Sequence, residues 1–309
     1  MLSDAETNYG GPSSPSKSIR PTERNDDDDS GDEGFFGLDD LLPEPESPLP
    51  APYSFSTYEI PEDIDLSVGG GEEKRSHLIL RLVGSHPLWG HHLWNTALVF
   101  STYLLRHPSL TQNRRILELG AGAGLPSLAC TLAGAKQVVI TDYPDTNLVE
   151  NMRFNADINL SGDLRGAVDV VGHTWGHDVK HLMARSEGQG YDLLILSDLV
   201  FNHSQHDALI KTVNATLSDS PDACILVFFT HHRPHLAEAD NAFFPRLAQS
   251  NVTSDGKGRG WVYQKVVEEW VGAMFENDPG DETVRGTVHG WKAWRAKEGE
   301  EAGEKKREI

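Results

Sequence analysis

The chain has 309 residues, with 47 acidic side chains against 27 basic ones, a formal net charge of −20 and 38% hydrophobic residues. Nucleic-acid binding draws its affinity from cationic contacts to phosphate, and no basic stripe with interleaved aromatics is present to supply them. No apolar run approaches the ~18 residues of a membrane span, and the N-terminus lacks the charged-then-apolar pattern of a signal peptide, so a cytosolic protein, also nuclear in the alternative, is expected.

In chain order, residues 1–75 read as a disordered acidic arm. The run Asp26 to Asp29, the pairs Asp32-Glu33 and Asp39-Asp40 and the prolines from Pro43 to Pro52 leave too little apolar surface to offset the entropy of ordering. Up to Arg75 the arm holds 19 acidic and 5 basic residues, hence 14 of the 20 net negative charges. It reads either as a solubilising tail or as a holder of a basic protein partner. Phe35-Phe36-Gly37-Leu38 and Tyr53 to Tyr58 are small apolar islands that can dock on the domain or on a partner.

Residues 76–295 read as alternating strands and helices, with a charged tail over 296–309. A strand is predicted over Leu78 to Val83, then His86-Pro87-Leu88-Trp89-Gly90, then a helix whose apolar face includes Leu93, Ala97, Leu98 and Leu104. The first sheet strand, Ile116 to Leu119, runs into Gly120-Ala121-Gly122-Ala123-Gly124 and a helix faced by Leu128, Leu132 and Ala133. Gly134 stops that helix, and Val138 to Ile140 form the second strand before Asp142. A helix over Pro144 to Ile158 follows, then strands at Val168 to Val171, Leu193 to Leu196 and Ala223 to Phe229. Helices are expected near His203 to Leu217 and Leu236 to Ser250. Val262 to Val267 and Val284 to Trp291 close the series, the last antiparallel. The fold class is therefore α/β, a doubly wound sheet of seven strands. Cys130 and Cys224 fall on regular apolar elements and read as buried free thiols of a reducing compartment.

The glycine turn points to a ligand, the alternative being a glycine-rich turn of an α/β protein that binds none. A dinucleotide fold wants a third glycine three residues after the second, and that place holds Leu125. With Glu118 ahead of it, the turn resembles instead the E-x-G-x-G-x-G motif of class I S-adenosylmethionine methyltransferases. That ligand has no phosphate but has an amino-acid end, a sulfonium and a ribose. A carboxylate beside the turn and Asp142 after the second strand suit it, Asp142 accepting from the ribose hydroxyls.

Ligands of open α/β sheets lie beyond the carboxyl ends of the strands. After the third strand comes His173-Thr174-Trp175-Gly176, where Trp175 is placed to cover adenine, its alternative being a core residue. After the fourth comes Ser197-Asp198-Leu199-Val200-Phe201-Asn202-His203, where substrate should meet the methyl group; the structural alternative for Asp198 is a helix cap. His231-His232-Arg233-Pro234-His235 has metal-like spacing, but Pro234 breaks the register and no cysteine or acid stands near in sequence. It reads as a polar or substrate-facing loop, and no metal is expected.

Leu88-Trp89-Gly90, Leu93-Trp94-Asn95, the E-L-G-A-G-A-G-L-P turn, Thr141-Asp142-Tyr143-Pro144 and Ser197 to His203 together resemble one family. It comprises the fungal protein N-terminal and lysine N-methyltransferases of translation elongation factor 1-alpha, in methyltransferase family 16, earlier described as nicotinamide N-methyltransferases. The resemblance spans about residues 76–295. It implies cofactor contacts at Trp94, Gly120, Ala121, Gly122, Asp142, Trp175 and Ser197. It implies a D-x-x-(Y/F) pair at the substrate amine, matched by Asp198 and Phe201. The long acidic arm is a departure that the family does not require.

The implied reaction is an in-line displacement by a neutral amine, needing positioning and a dry site rather than a covalent intermediate. Asp198 would orient the amine, with base chemistry secondary because a negative charge favours the protonated form. Phe201 would line the channel and favour a methylated cation through its ring face. Three classes are thus weighed: a methyltransferase acting on elongation factor 1-alpha, a nicotinamide-type small-molecule enzyme, and a binding module without activity. Intact Glu118, Gly120, Asp142 and Asp198 oppose the last. No heptad or exposed stripe demands association, so a monomer is expected.

Overall fold

The computed structural model describes residues 52–64, 66, 75–84, 87, 90–251, 258–275 and 277–306. The chain divides into two units, Met1–Pro48 and Leu49–Ile309, and the described residues all belong to the second. The acidic run, the Phe35 island and the Leu88-Trp89 pair lie outside the described residues.

Strands β1 (Ser54–Glu59) and β2 (His77–Leu82) pair antiparallel, Ser54 opposite Leu82 and Glu59 opposite His77. The arm expected to run to residue 75 therefore contains a strand, because the Tyr53–Tyr58 island finds a partner strand 18 residues beyond its own end. Period-two alternation fixes the faces: Leu78, Leu80 and Leu82 turn inward while Ile79 and Arg81 turn out. Tyr58 also bonds across to Thr102 at 2.8 Å, on helix α1 (Asn95–Arg106).

The outer edge of β2 is covered by side chains in place of a strand. Asn151, Asn155 and Asn159 recur every fourth residue on one face of helix α3 (Thr146–Asn159). Asn155 and Asn159 accept from the Arg81 and Ile79 N–H groups at 2.7 and 3.0 Å, and all three amides donate to carbonyls of those two residues. Asn155 also donates to the Ala123 carbonyl, tying this ladder to the glycine turn.

The main sheet has eight strands. In chain order they are β3 (Arg115–Leu119), β4 (Gln137–Asp142), β5 (Val168–Gly172), β6 (Leu193–Ser197), β7 (Cys224–Thr230), β8 (Trp261–Trp270), β9 (Thr287–Arg295) and β10 (Gly303–Glu304). Their spatial order is β10-β8-β9-β7-β6-β3-β4-β5. β3 to β7 are mutually parallel, β9 runs antiparallel between β7 and β8, and two-residue β10 adds an eighth strand where only a charged tail was expected. Every residue of β7 is buried, as expected for a parallel strand covered on both faces.

Alternate strand residues feed two cores. Ile116, Val138, Ile140, Leu193, Ile195, Leu226 and Phe228 pack with α1, α2 (Leu125–Leu132) and α3. Leu117, Leu119, Val139, Leu194, Leu196, Val227 and Phe229 pack with α5 (Lys180–Arg185), α6 (His206–Thr216) and α8 (Phe243–Gln249). Short helices α4 (Gly162–Gly166), α7 (Ala237–Asn241) and α9 (Glu282–Arg285) complete the set. The helix expected over 236–250 is thus two, and Val284 and Arg285, expected to open the last strand, instead end α9, whose first turn is capped by Asp281. The order of strands reverses between β3, which leads to β4 on one side, and β6 on the other. The carboxyl ends of these two strands open a crevice there.

Candidate active site

That crevice holds a cavity of about 480 Å³, within the ordinary range for small-molecule sites. All nine residues singled out in the sequence line it: Trp94, Gly120, Ala121, Gly122, Asp142, Trp175, Ser197, Asp198 and Phe201. They come from five separate segments: the start of α1, the β3 turn, and the chain at and just after the ends of β4, β5 and β6.

The β3 turn needs its first glycine. Gly120 has φ +62°, and a Cβ there would lie 2.7 Å from Leu199 and 2.9 Å from the Trp175 ring. Gly122, at φ +55°, has open space where its Cβ would be, so its backbone faces the cavity uncovered. Its N–H donates to Asp142 Oδ2 at 2.7 Å, and Asp142 Oδ1 accepts from the Tyr143 N–H. The carboxylate is thereby fixed at the cavity wall.

Glu118 is not at that wall. It is completely buried behind the turn, where Oε2 accepts from the Ser127 N–H in the first turn of α2 at 3.0 Å. Burial pushes its pKa up to about 8, with hydrogen bonds from Ser127 pulling down and the Asp142 charge pushing up. The expectation that it serves the amino-acid end of the ligand is corrected: it anchors the helix that follows the turn.

On the β5 side, Trp175 lies half-buried against Leu199 and the Gly120 position, and Gly176 takes φ +77° with its N–H on Thr212. His173, absent from the sequence candidates as an individual residue, also lines the cavity. It is 3% exposed, and its Nε2 has no partner among the described residues. Burial, reinforced by His181 and His177, pushes its pKa down to about 4, so it offers a neutral ring.

The far wall contains the chemistry that sequence spacing conceals. Asp198, 7% exposed, sits at φ +58°, a left-handed conformation that few non-glycine residues adopt and that clusters at functional sites. It caps no helix: its Oδ2 meets His232 Nε2 at 2.9 Å, and the Thr230 N–H reaches Oδ1 at 3.4 Å. Next door, Asp240 bridges His231 Nδ1 and His203 Nε2, each at 2.7 Å. The loop after β7 does have acids beside it: Asp198, just past β6, is 34 residues from His232, and Asp240 on α7 is nine residues from His231. Among the described residues no cluster of His, Cys, Asp and Glu has the geometry to hold a metal ion.

Aromatic rings gather around His232, the partner of Asp198. Trp94 meets His232 at 4.9 Å, Phe275 at 6.0 Å and His92 at 5.4 Å between centroids, and Phe201 meets His232 at 6.3 Å. A cation held at such a wall gains from ring faces as well as from the carboxylate. His232, His92 and Phe275 were missed because only the fold brings residues 92, 198, 232 and 275 together.

The residues present fit S-adenosylmethionine. Asp142 supplies acceptors for ribose hydroxyls, bare backbone at Gly120 to Gly122 permits close approach, and Trp175 offers a flat ring beside a buried, unpartnered His173 nitrogen. Residues 74–250 match the family described as lysine methyltransferase. The chain is 62% identical, over 90% of its length and 95% of the relative's, to a protein N-terminal and lysine N-methyltransferase of Cryptococcus neoformans var. neoformans. It is 44% identical to the enzyme of that description from Schizosaccharomyces pombe, over 69% of this chain and 80% of that one. To the one from Emericella nidulans it is 42% identical, over 69% and 82%.

Proposed function

The chain belongs to the lysine methyltransferase family, and on that premise we propose that it methylates the exposed N-terminal amine, and the adjacent lysine, of translation elongation factor 1-alpha. The enzyme is an S-adenosylmethionine-dependent methyltransferase. Its relatives' description as protein N-terminal and lysine N-methyltransferases supports the class of substrate, and the resemblance over residues 76–295 supports the particular protein. No helix among the described residues is long and apolar enough to cross a membrane. The enzyme acts in the cytoplasm as a monomer.

The observation that carries this reading is a carboxylate, Asp198, set in the cavity wall among Trp94, Phe201 and the ring of His232. Asp142, the Gly120-Ala121-Gly122 backbone, Trp94, Trp175 and Ser197 would hold S-adenosylmethionine, which supplies an activated methyl group on its sulfonium. Asp198 accepts a hydrogen bond from the substrate amine and fixes its lone pair in line. Phe201 and Trp94 exclude water and favour cationic nitrogen by their ring faces. Most of the acceleration then comes from orientation.

Methylating a fungal lysate with labelled cofactor, then resolving proteins and small molecules, tests the reading. A single labelled band of elongation-factor size, with label on its N-terminal peptide, is expected. Label confined to small molecules would replace it with a nicotinamide-type activity.

A further inference from the structure

An amine attacks only when neutral, yet an α-amino group has a pKa of about 7.7 to 8 and a lysine about 10.4. A lone carboxylate beside such a group makes matters worse, because it stabilises the ammonium form. Asp198 is not alone. Its Oδ2 is bonded to His232 Nε2 at 2.9 Å, while Oδ1, with only the long 3.4 Å contact to the Thr230 N–H, has room for a substrate donor. His232 is bonded to the Asp198 carboxylate at the edge of the cavity, between the rings of Trp94 and Phe201.

Resting on the reading of Asp198 as the group that orients the amine, we propose that His232 is a positioning residue whose positive charge cancels that of Asp198. The carboxylate then holds the amine without favouring its protonated form.

The surroundings support a charged His232. Burial alone would lower its pKa, but the charge and hydrogen bond of Asp198, helped by Asp240, outweigh burial and the opposing Arg233, and raise it. Asp240 is engaged elsewhere, with His203 on one oxygen and His231 on the other. The remaining neighbours, Trp94 and Phe201, are uncharged rings. In the transfer itself the nitrogen lone pair forms the N–C bond while the S–C bond breaks toward sulfur. Positive charge passes from sulfur to nitrogen, and no proton moves in that step. The proton that the substrate ammonium must shed beforehand goes to water, and the imidazolium beside Asp198 lowers the pH at which that happens.

The test is the pH profile of kcat at saturating cofactor and saturating N-terminal peptide, which reports groups in the bound complex. His232→Gln should move the acid limb up by about one pH unit, a loss of about tenfold on that limb that closes at high pH. His232→Lys, restoring a cation, should move the limb back. Independently, NMR titration of the His232 ring should shift to lower pH in Asp198→Asn, a readout that needs no turnover and no folding of a His232 variant. A loss of equal size at every pH in His232→Gln would mark a structural role and overturn the proposal, as would a His232 titration unchanged in Asp198→Asn. Wild-type enzyme inactive on every amine would overturn the underlying reading and the proposal with it, and is told apart because the wild-type profile itself is then flat.

Discussion

The two halves of the cavity are built in different ways. The β3–α2–β4 side is local: Gly120, Gly122 and Asp142 lie within 23 consecutive residues, and one hydrogen bond, Gly122 N–H to Asp142, closes the unit. The β6–β7 side is assembled across the chain: Asp198 is bonded to His232, 34 residues on, and His232 in turn meets Trp94 from the start of α1. On the proposed reading the first half would cradle the cofactor, whereas the second would arrange charge for a nucleophile. Substitutions should therefore separate binding from turnover.

The sharpest separation comes from Asp198→Ala. We expect kcat to fall by about 100-fold or more as the amine loses its orienting acceptor, with cofactor affinity by calorimetry unchanged. Equal loss of both would merge the two halves into one. Asp142→Ala should do the reverse, weakening cofactor binding about 10- to 100-fold through lost charge-assisted hydrogen bonds while kcat at saturating cofactor holds. Gly120→Ala forces an L side chain into left-handed backbone at about 1 to 2 kcal/mol and drives its Cβ into Leu199 and Trp175. A lowered melting temperature and weaker cofactor binding are expected, read by calorimetry and thermal denaturation.

The smallest effect lies behind the cradle. The Glu118 carboxyl has its folded pKa raised to about 8 from 4.5, so the unfolded chain gives up this proton first as pH rises. Stability contributed by the protonated form is complete below about 4.5 and is lost progressively toward about 8. Glu118→Gln, which cannot titrate, should flatten the fall in melting temperature between pH 5 and pH 8. Parallel curves for the two proteins would show that Glu118 is ionised in the folded state.

This contrast also explains what the sequence reveals. The order strand, glycine turn, helix, strand, acid is written contiguously, and Leu125 in place of a third glycine argues against a dinucleotide, so the cofactor and the fold class were legible. β1 was not, because Ser54–Glu59 sits in acidic, proline-rich surroundings and becomes a strand only by meeting β2. Nor was the asparagine ladder on α3, since buried amides read as polar surface until the edge they cover is known. The loop after β7 shows the limit most clearly. His231 and His232 are adjacent, yet one is bonded to Asp240 and the other to Asp198, and no spacing rule assigns those partners.

The central claim is that this cavity methylates the N-terminal amine of a protein. Purified enzyme should be incubated with S-adenosylmethionine and elongation factor 1-alpha whose N-terminal glycine is exposed, and the N-terminal peptide sequenced by mass spectrometry. The account predicts added methyl groups on the α-amine and on the adjacent lysine with the wild type, and none with Asp198→Ala. An unmodified N-terminal peptide in the presence of bound cofactor, or equal methylation by both enzymes, would contradict it.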